Sequence, residues 1–151
     1  MSLTASATTT ITNTLNSSIT SSSSTNNNNS SNGTKRYQLS LSASNLPKRL
    51  FRCPSTYAKV TVAGGPWDGQ VIGCTSVLPR SCHPDWTDTL FLDTASSIYM
   101  PLKIELWRDG SGYNTRNRDS DVLLGEVTME ATEILNSLGR SKTETLSCGG
   151  T

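Results

Sequence analysis

The sequence predicts an all-β protein, an antiparallel β-sandwich with one short helix near its end. Two observations carry that expectation. The first is alternation: short runs with an apolar residue at every second position recur between Tyr37 and Met129, the period of half-buried strands. The second is spacing: the runs follow one another too closely for helical crossovers, and Gly, Pro and polar residues punctuate them, which disfavours a parallel α/β sheet.

Taken in order, Tyr37, Leu39, Leu41 and Ala43 alternate with Gln38, Ser40 and Ser42 and give a first strand. Residues 45–55 form a loop containing Pro47 and Pro54. Ala58, Val60 and Val62 alternate with Lys59 and Thr61, and Gly64-Gly65-Pro66 ends that strand. A third strand is expected near Gln70–Val77, then a loop bracketed by Pro79 and Pro84, then a fourth strand over Thr87–Leu92. Leu102, Ile104 and Leu106 make the next strand, and Leu123, Gly125, Val127 and Met129 the one after it. A polar segment, residues 108–121, lies between these two and is longer than a hairpin needs; such loops are usually functional or disordered. Ala131–Leu138 reads as a short helix with Ile134, Leu135 and Leu138 on one face and Gly139 at the cap position, and Lys142–Leu146 as a closing strand.

Residues 1–34 hold no charged residue and no histidine, and 26 of them are Ser, Thr or Asn. A segment so composed cannot bury enough apolar surface to offset its ordering entropy, so it is expected to be a disordered tail ahead of a domain over residues 35–151. It lacks the basic start and continuous apolar core of a signal peptide, and Ser2 follows Met1 where myristoylation needs Gly. Asn16-Ser17-Ser18 and Asn32-Gly33-Thr34 match the glycosylation pattern but are read as chance matches.

The net charge of +1 lacks the basic signature of a nucleic-acid binder, so nucleic acid is not an expected partner. No apolar run approaches the roughly 20 residues that span a bilayer. Cys53, Cys74, Cys82 and Cys148 form no CxxC pair and are expected to be reduced thiols in a cytoplasmic protein. The single histidine, His83, is expected to pack in a loop beside Trp86. There is no GxSxG, Walker loop or HExxH, so no nucleophile or base can be assigned and the protein is not read as an enzyme.

Binding chemistry is concentrated in two loops. Lys48, Arg49 and Arg52 flank Leu50 and Phe51, a combination suited to an anionic membrane, where apolar side chains enter the interface and cations meet phosphates. The bland alternative folds Leu50 and Phe51 back onto the core while the cations stay in water. The long loop carries Asp109, Asp119 and Asp121, oxygen donors of the kind Ca²⁺ takes, six to eight at a time. The same loop carries Arg108, Arg116 and Arg118, which cancel that charge, together with Tyr113.

The order and spacing of these segments resemble the C2 domain family, eight-stranded antiparallel sandwiches of peripheral membrane proteins. Tyr37–Leu46 resembles the opening strand with its Asn-Leu turn. Ser55-Thr56-Tyr57-Ala58-Lys59-Val60 resembles the Ser-Asp-Pro-Tyr-Val-Lys-Val entry to the second. His83-Pro84-Asp85-Trp86-Thr87-Asp88 resembles Asn-Pro-x-Trp-Asn-Glu. Leu102–Trp107 with Asp121-Val122-Leu123-Leu124-Gly125-Glu126 resembles the strand pair ending Asp-x-Leu-Gly-Glu. The late helix followed by Leu146 looks most like the C2 domains of copines. The likeness covers residues 36–147.

The resemblance implies ligand binding at one end of the sandwich, through loops 45–55, 80–86 and 108–121. It also implies a degenerate calcium site. The family's loop-one aspartates fall near Lys48 or Arg49 and at Ser55 or Thr56. The aspartate after the strand tryptophan falls at Arg108, or at Asp109 with a one-residue shift. Asp119 and Asp121 fit the later positions. The expectation is a non-catalytic module, peripheral to membranes, that docks on anionic phospholipid through Lys48, Arg49, Leu50, Phe51, Arg52, Tyr113, Arg116 and Arg118. Ca²⁺ is the sole candidate cofactor, weakly held at Asp109, Asp119 and Asp121. The alternatives are a protein-interaction module of the same fold and a calcium-dependent phospholipid binder.

Overall fold

A computed structural model describes residues 10–17, 34–95, 100–110, 120–136 and 141–146. Within them the chain order is β1 (Thr10–Ser17), β2 (Thr34–Ser44), β3 (Thr56–Val62), a 3₁₀ turn (Gly65–Trp67), β4 (Val71–Cys74), β5 (Leu90–Ala95), β6 (Pro101–Arg108), β7 (Val122–Glu130), α1 (Ala131–Asn136) and β8 (Ser141–Thr145). The strands form two four-stranded sheets, ordered β5-β2-β1-β8 and β4-β3-β6-β7, and their pairings are antiparallel.

Period two explains the core. Leu39 and Leu41 of β2 and Leu92 of β5 come from one sheet; Val60 and Val62 of β3 and Leu102, Ile104 and Leu106 of β6 come from the other. All eight are essentially inaccessible and belong to one cluster. Burying a side chain of this kind stabilises by about 1.5–3 kcal/mol. Gly73 of β4 faces this packing closely, since a Cβ there would meet Leu90 Cδ2 at 2.9 Å. Gly64 and Gly65, with φ of 139° and 71°, let the chain turn out of β3 where residues with a Cβ would be strained.

The indole of Trp86 joins the sheets. Its Nε1–H donates to the carbonyl of Thr56 at 3.2 Å, its backbone N–H donates to that of Leu41 at 3.2 Å, and the residue is 3% exposed. The segment before β5 is thereby fixed to both β2 and β3, and β5 begins at Leu90 rather than at Thr87. Between them Asp88 accepts from the backbone N–H and the hydroxyl of Ser76 at 3.0 and 2.6 Å. The third strand is also shorter than expected. It ends at Cys74, after which the Thr75 hydroxyl accepts from the Ala58 N–H at 2.9 Å. The helix is described over Ala131–Asn136; residues 137–140, including Leu138 and Gly139, lie outside the described residues.

Two expectations are corrected. Thr10–Ser17, placed by composition in a disordered tail, is a strand in the interior of the first sheet, paired with β2 on one side and β8 on the other. Its register sets Ile11 opposite Ala43 and Leu15 opposite Leu39, so apolar positions of the two strands coincide. Thr10, Thr12 and Thr14 alternating with Ile11 and Leu15 is a period-two, β-branched pattern, and it outweighs the Ser/Thr/Asn composition once two partner strands accept its backbone bonds. Residues 1–9 and 18–33 lie outside the described residues. The second correction concerns the thiols. Cys53 and Cys82 form a disulfide with Cα atoms 5.0 Å apart, and Cys74 is free. Spacing in sequence does not reveal this pair, because 29 residues and two strands separate them. Closing a loop of that length stabilises by about 3.5 kcal/mol in the chain-entropy account.

The β1 strand makes the effect of truncation specific. Removing residues 1–17 strips β8 of its partner in the sheet and leaves β2 unpaired on one side. The midpoint of thermal unfolding should fall by roughly 10 °C or more, as a loss of a few kcal/mol implies for a domain of this size. An unchanged midpoint would mean that β1 contributes nothing to stability.

Candidate functional site at the loop end

Three loops meet at one end of the sandwich because the strands that carry them are tied there. Ala43 N–H donates to Pro84 O at 2.8 Å and Leu46 N–H to Cys82 O at 3.0 Å, joining loop 45–55 to loop 75–89. Ser81 N–H donates to Pro54 O at 3.1 Å, and Arg80 N–H to Ser55 Oγ at 3.3 Å. The third loop is tied in where Asp109 N–H reaches Ser55 O at 2.9 Å. His83 is exposed, and its Nδ1 accepts the N–H of Asn45 at 3.3 Å; it is a hinge of the first two loops rather than packing for the core.

From this platform residues 47–52 project as a finger, each of them exposed. Arg49 and Arg52 exchange both backbone hydrogen bonds, at 2.9 and 3.0 Å, around a two-residue turn. Leu50 and Phe51 occupy the turn with φ of 48° and 64°. Two positive φ angles are what a type I′ hairpin turn requires, and the residues that suit it are Asn and Gly. A residue with a Cβ in this region costs about 1–2 kcal/mol, and bulky ones are outliers. Neither side chain recovers that cost in the core, since Leu50 is 84% and Phe51 99% exposed. The alternative in which they fold back onto the sandwich is therefore not what the chain adopts.

The acidic loop behaves differently from a metal cradle. Asp121 accepts from the Tyr57 hydroxyl at 2.8 Å through one oxygen and from the Gly110 N–H at 2.9 Å through the other. A Cβ on Gly110 would run into the carbonyl of Ser120, so the two strands of the neck approach as closely as glycine permits. Asp121 thus closes the neck of loop 109–121 against β3. Among the described residues no three His, Cys, Asp or Glu side chains come together to hold a metal. A Ca²⁺ ion wants six to eight oxygens, and the described carboxylates do not fit that demand. Asp119, Tyr113, Arg116 and Arg118 lie outside the described residues, so the structure brings together only Lys48, Arg49, Leu50, Phe51, Arg52, Asp109 and Asp121 of the expected site. Sequence reasoning missed Cys53, Cys82, Tyr57 and Gly110; Tyr57 carried a signal, being a large residue on the polar face of β3.

Away from the loops the sheet faces are polar. On the second sheet Lys103 lies 2.9 Å from Glu105 and 3.0 Å from Glu126, with Lys59 at 3.9 Å from Glu105. Burial pushes the Glu105 carboxyl up, but the hydrogen bonds from Lys103 and Trp107 and the charges of Lys103 and Lys59 outweigh it and leave the pKa below its ordinary value. On the first sheet Arg36 pairs with Asp93 at 2.8 Å and lies 5.6 Å from the ring centre of Phe91, covering the large apolar residue of that strand.

Two packed antiparallel sheets whose loops gather at one end define a class of binding modules. The C2 domain profile matches residues 39–146, and the chain belongs to the C2 domain family. It is similar to the A-type C2 domain of RIM from Drosophila at 17% identity and a TM-score of 0.62, with 93% of this chain and 98% of that one covered. It is also similar to the A-type C2 domain of RIM2 at 16% identity and a TM-score of 0.56, covering 92% and 97%. At such identities the likeness speaks for the fold. No curated protein sequence matches significantly. No helix among the described residues is long and apolar enough to cross a membrane.

Two measurements check this electrostatic picture. A carboxyl with a lowered folded pKa adds stability above its ordinary value, 4.5 for Glu105, and loses it as the pH falls through the folded value. Glu105→Gln should therefore narrow the gap in unfolding free energy between pH 6 and pH 3; an unchanged gap refutes the network. Asp121→Ala releases Tyr57 and Gly110 and should cost about 1.5–3 kcal/mol in urea unfolding, the scale of hydrogen bonds to a charged group. A neutral effect would mean that the neck is held by other contacts.

Proposed function

We propose that the protein is a non-catalytic C2 module that docks on anionic phospholipid through the finger at residues 47–52, without needing Ca²⁺. The observation that carries this is the strained turn: Leu50 and Phe51 sit in left-handed backbone at the tip, 84% and 99% exposed, between Lys48, Arg49 and Arg52. Strain that the domain itself does not relieve is a pointer to function. Each cation close to an anionic surface adds about 1 kcal/mol, and burying Leu50 and Phe51 in the interface adds about 1.5–3 kcal/mol apiece. Together these give weak, reversible attachment. Tyr113, Arg116 and Arg118 belong to the neighbouring loop and are proposed as further lipid contacts. Calcium independence is supported by the engagement of both Asp121 oxygens within the neck. A copine-type relationship is supported by α1 ahead of β8. The protein-interaction alternative wants an apolar sheet face, whereas the described faces carry the Lys103 network and the Arg36–Phe91 pair.

Sedimentation with phosphatidylserine-containing vesicles in the presence of a chelator tests the proposal. The protein should pellet with the vesicles, Arg49→Glu with Arg52→Glu should weaken partitioning at least tenfold, and salt should weaken it by screening. Binding that the chelator removes, or that the double reversal leaves untouched, would overturn it.

A further inference from the structure

The finger stands on a single residue. Its first foot is Leu46, whose N–H donates to the carbonyl of Cys82 at 3.0 Å; its second is Cys53, joined through sulfur to the same Cys82. Between the feet the backbone hydrogen bonds of residues 47–52 join Arg49 to Arg52 and reach nothing else among the described residues. Backbone in a sparsely populated region persists only where its surroundings over-determine it. Here the surroundings of the strained Leu50-Phe51 turn amount to one bridge, one hydrogen bond and the disulfide. Beyond Cys53 the next tie, Ser81 N–H to Pro54 O, already belongs to the platform.

We propose that the Cys53–Cys82 disulfide is a redox clamp on the docking finger, present when the protein binds anionic lipid and opened by a dithiol reductant to release it; this rests on the lipid-docking function proposed above. Cys53 and Cys82 are both half-buried and follow or precede the exposed, cationic Arg52 and the exposed His83, so an anionic thiolate can approach them. The thiolate of the dithiol attacks one sulfur, forming a mixed disulfide and displacing the other cysteine as a thiolate, which takes up a proton. The second thiol of the reductant then closes on the first, breaking the mixed disulfide and freeing the attacked cysteine. Two electrons and two protons end on Cys53 and Cys82, and the reductant leaves as a cyclic disulfide. The second foot is then free, Leu50 and Phe51 relax towards negative φ, and the tip no longer presents both apolar side chains between its cations. The cores of the sheets do not involve either cysteine, so the sandwich persists.

The test uses the full chain with Cys74→Ser, so that only the pair responds to reductant among the described cysteines, and vesicles of phosphatidylserine and phosphatidylcholine. Partitioning is measured for the oxidised protein, for protein reduced with dithiothreitol and alkylated, for protein reduced and reoxidised, and for the Cys53→Ser, Cys82→Ser variant. Tryptophan emission and near-ultraviolet circular dichroism follow the core. The expected result is partitioning at least tenfold weaker for the reduced and serine forms, recovery on reoxidation, and unchanged core spectra. Equal binding by oxidised and reduced protein would overturn the clamp and leave the lipid-docking function standing. Binding by neither would overturn both. Loss of binding together with loss of the core signals would overturn the clamp, because unfolding would then account for it.

Discussion

The indole of Trp86 is the contact on which the binding end depends. A β-sandwich holds its sheets together by apolar burial, which is strong but has no direction. It fixes no relation between loops that leave different sheets. Trp86 adds direction: it hydrogen-bonds to Thr56 at the head of β3 through its side chain and to Leu41 of β2 through its backbone. The loop that precedes β5 is thus held against the ends of both sheets, and the chain at Cys82, His83 and Pro84 is brought where loop 45–55 must pass. Every tie between the first two loops is built on that placement.

The finger shows how such a platform is used. A turn made of Leu and Phe in left-handed backbone would not persist in a free peptide, where extended and right-handed conformations are cheaper. It persists here because its ends are fixed on Cys82. The stiffness has a use in binding, since a tip already in its docking shape loses less entropy at the membrane. The same disulfide removes one premise for a cytoplasmic location, which had rested on reduced thiols; disulfides persist where the surroundings are oxidising or are made and broken where they regulate.

Loop 109–121 illustrates how a carboxylate can change its task without changing its type. At a place where the family resemblance suggests a metal ligand, Asp121 receives a phenol and a backbone N–H. The opposite neck residue is Gly110, the one residue type that allows Ser120 to come so near. The neck is closed by hydrogen bonds that need no ion.

Period-two alternation in Tyr37–Ala43, Ala58–Val62 and Leu102–Leu106 determined the sandwich and its core, because the side-chain period of a strand is local geometry and leaves its mark on any stretch with one buried face. The sequence also placed the cations and the apolar pair of loop 45–55 side by side, and showed that no catalytic motif accompanies them. Local chemistry could not reveal the rest. The strand at Thr10–Ser17 resembled a polar tail, since composition is averaged over a window while strand formation is decided by partners, here β2 and β8. The pairing of Cys53 with Cys82 and of Tyr57 with Asp121 spans 29 and 64 residues, and only the packing of the two sheets brings those groups together. Whether Leu50 and Phe51 turned inward or outward was likewise undecidable from their apolar character, which favours burial. Tertiary structure settled it, because both feet of the loop stand on Cys82 and the six residues between them are too few to return their side chains to the core.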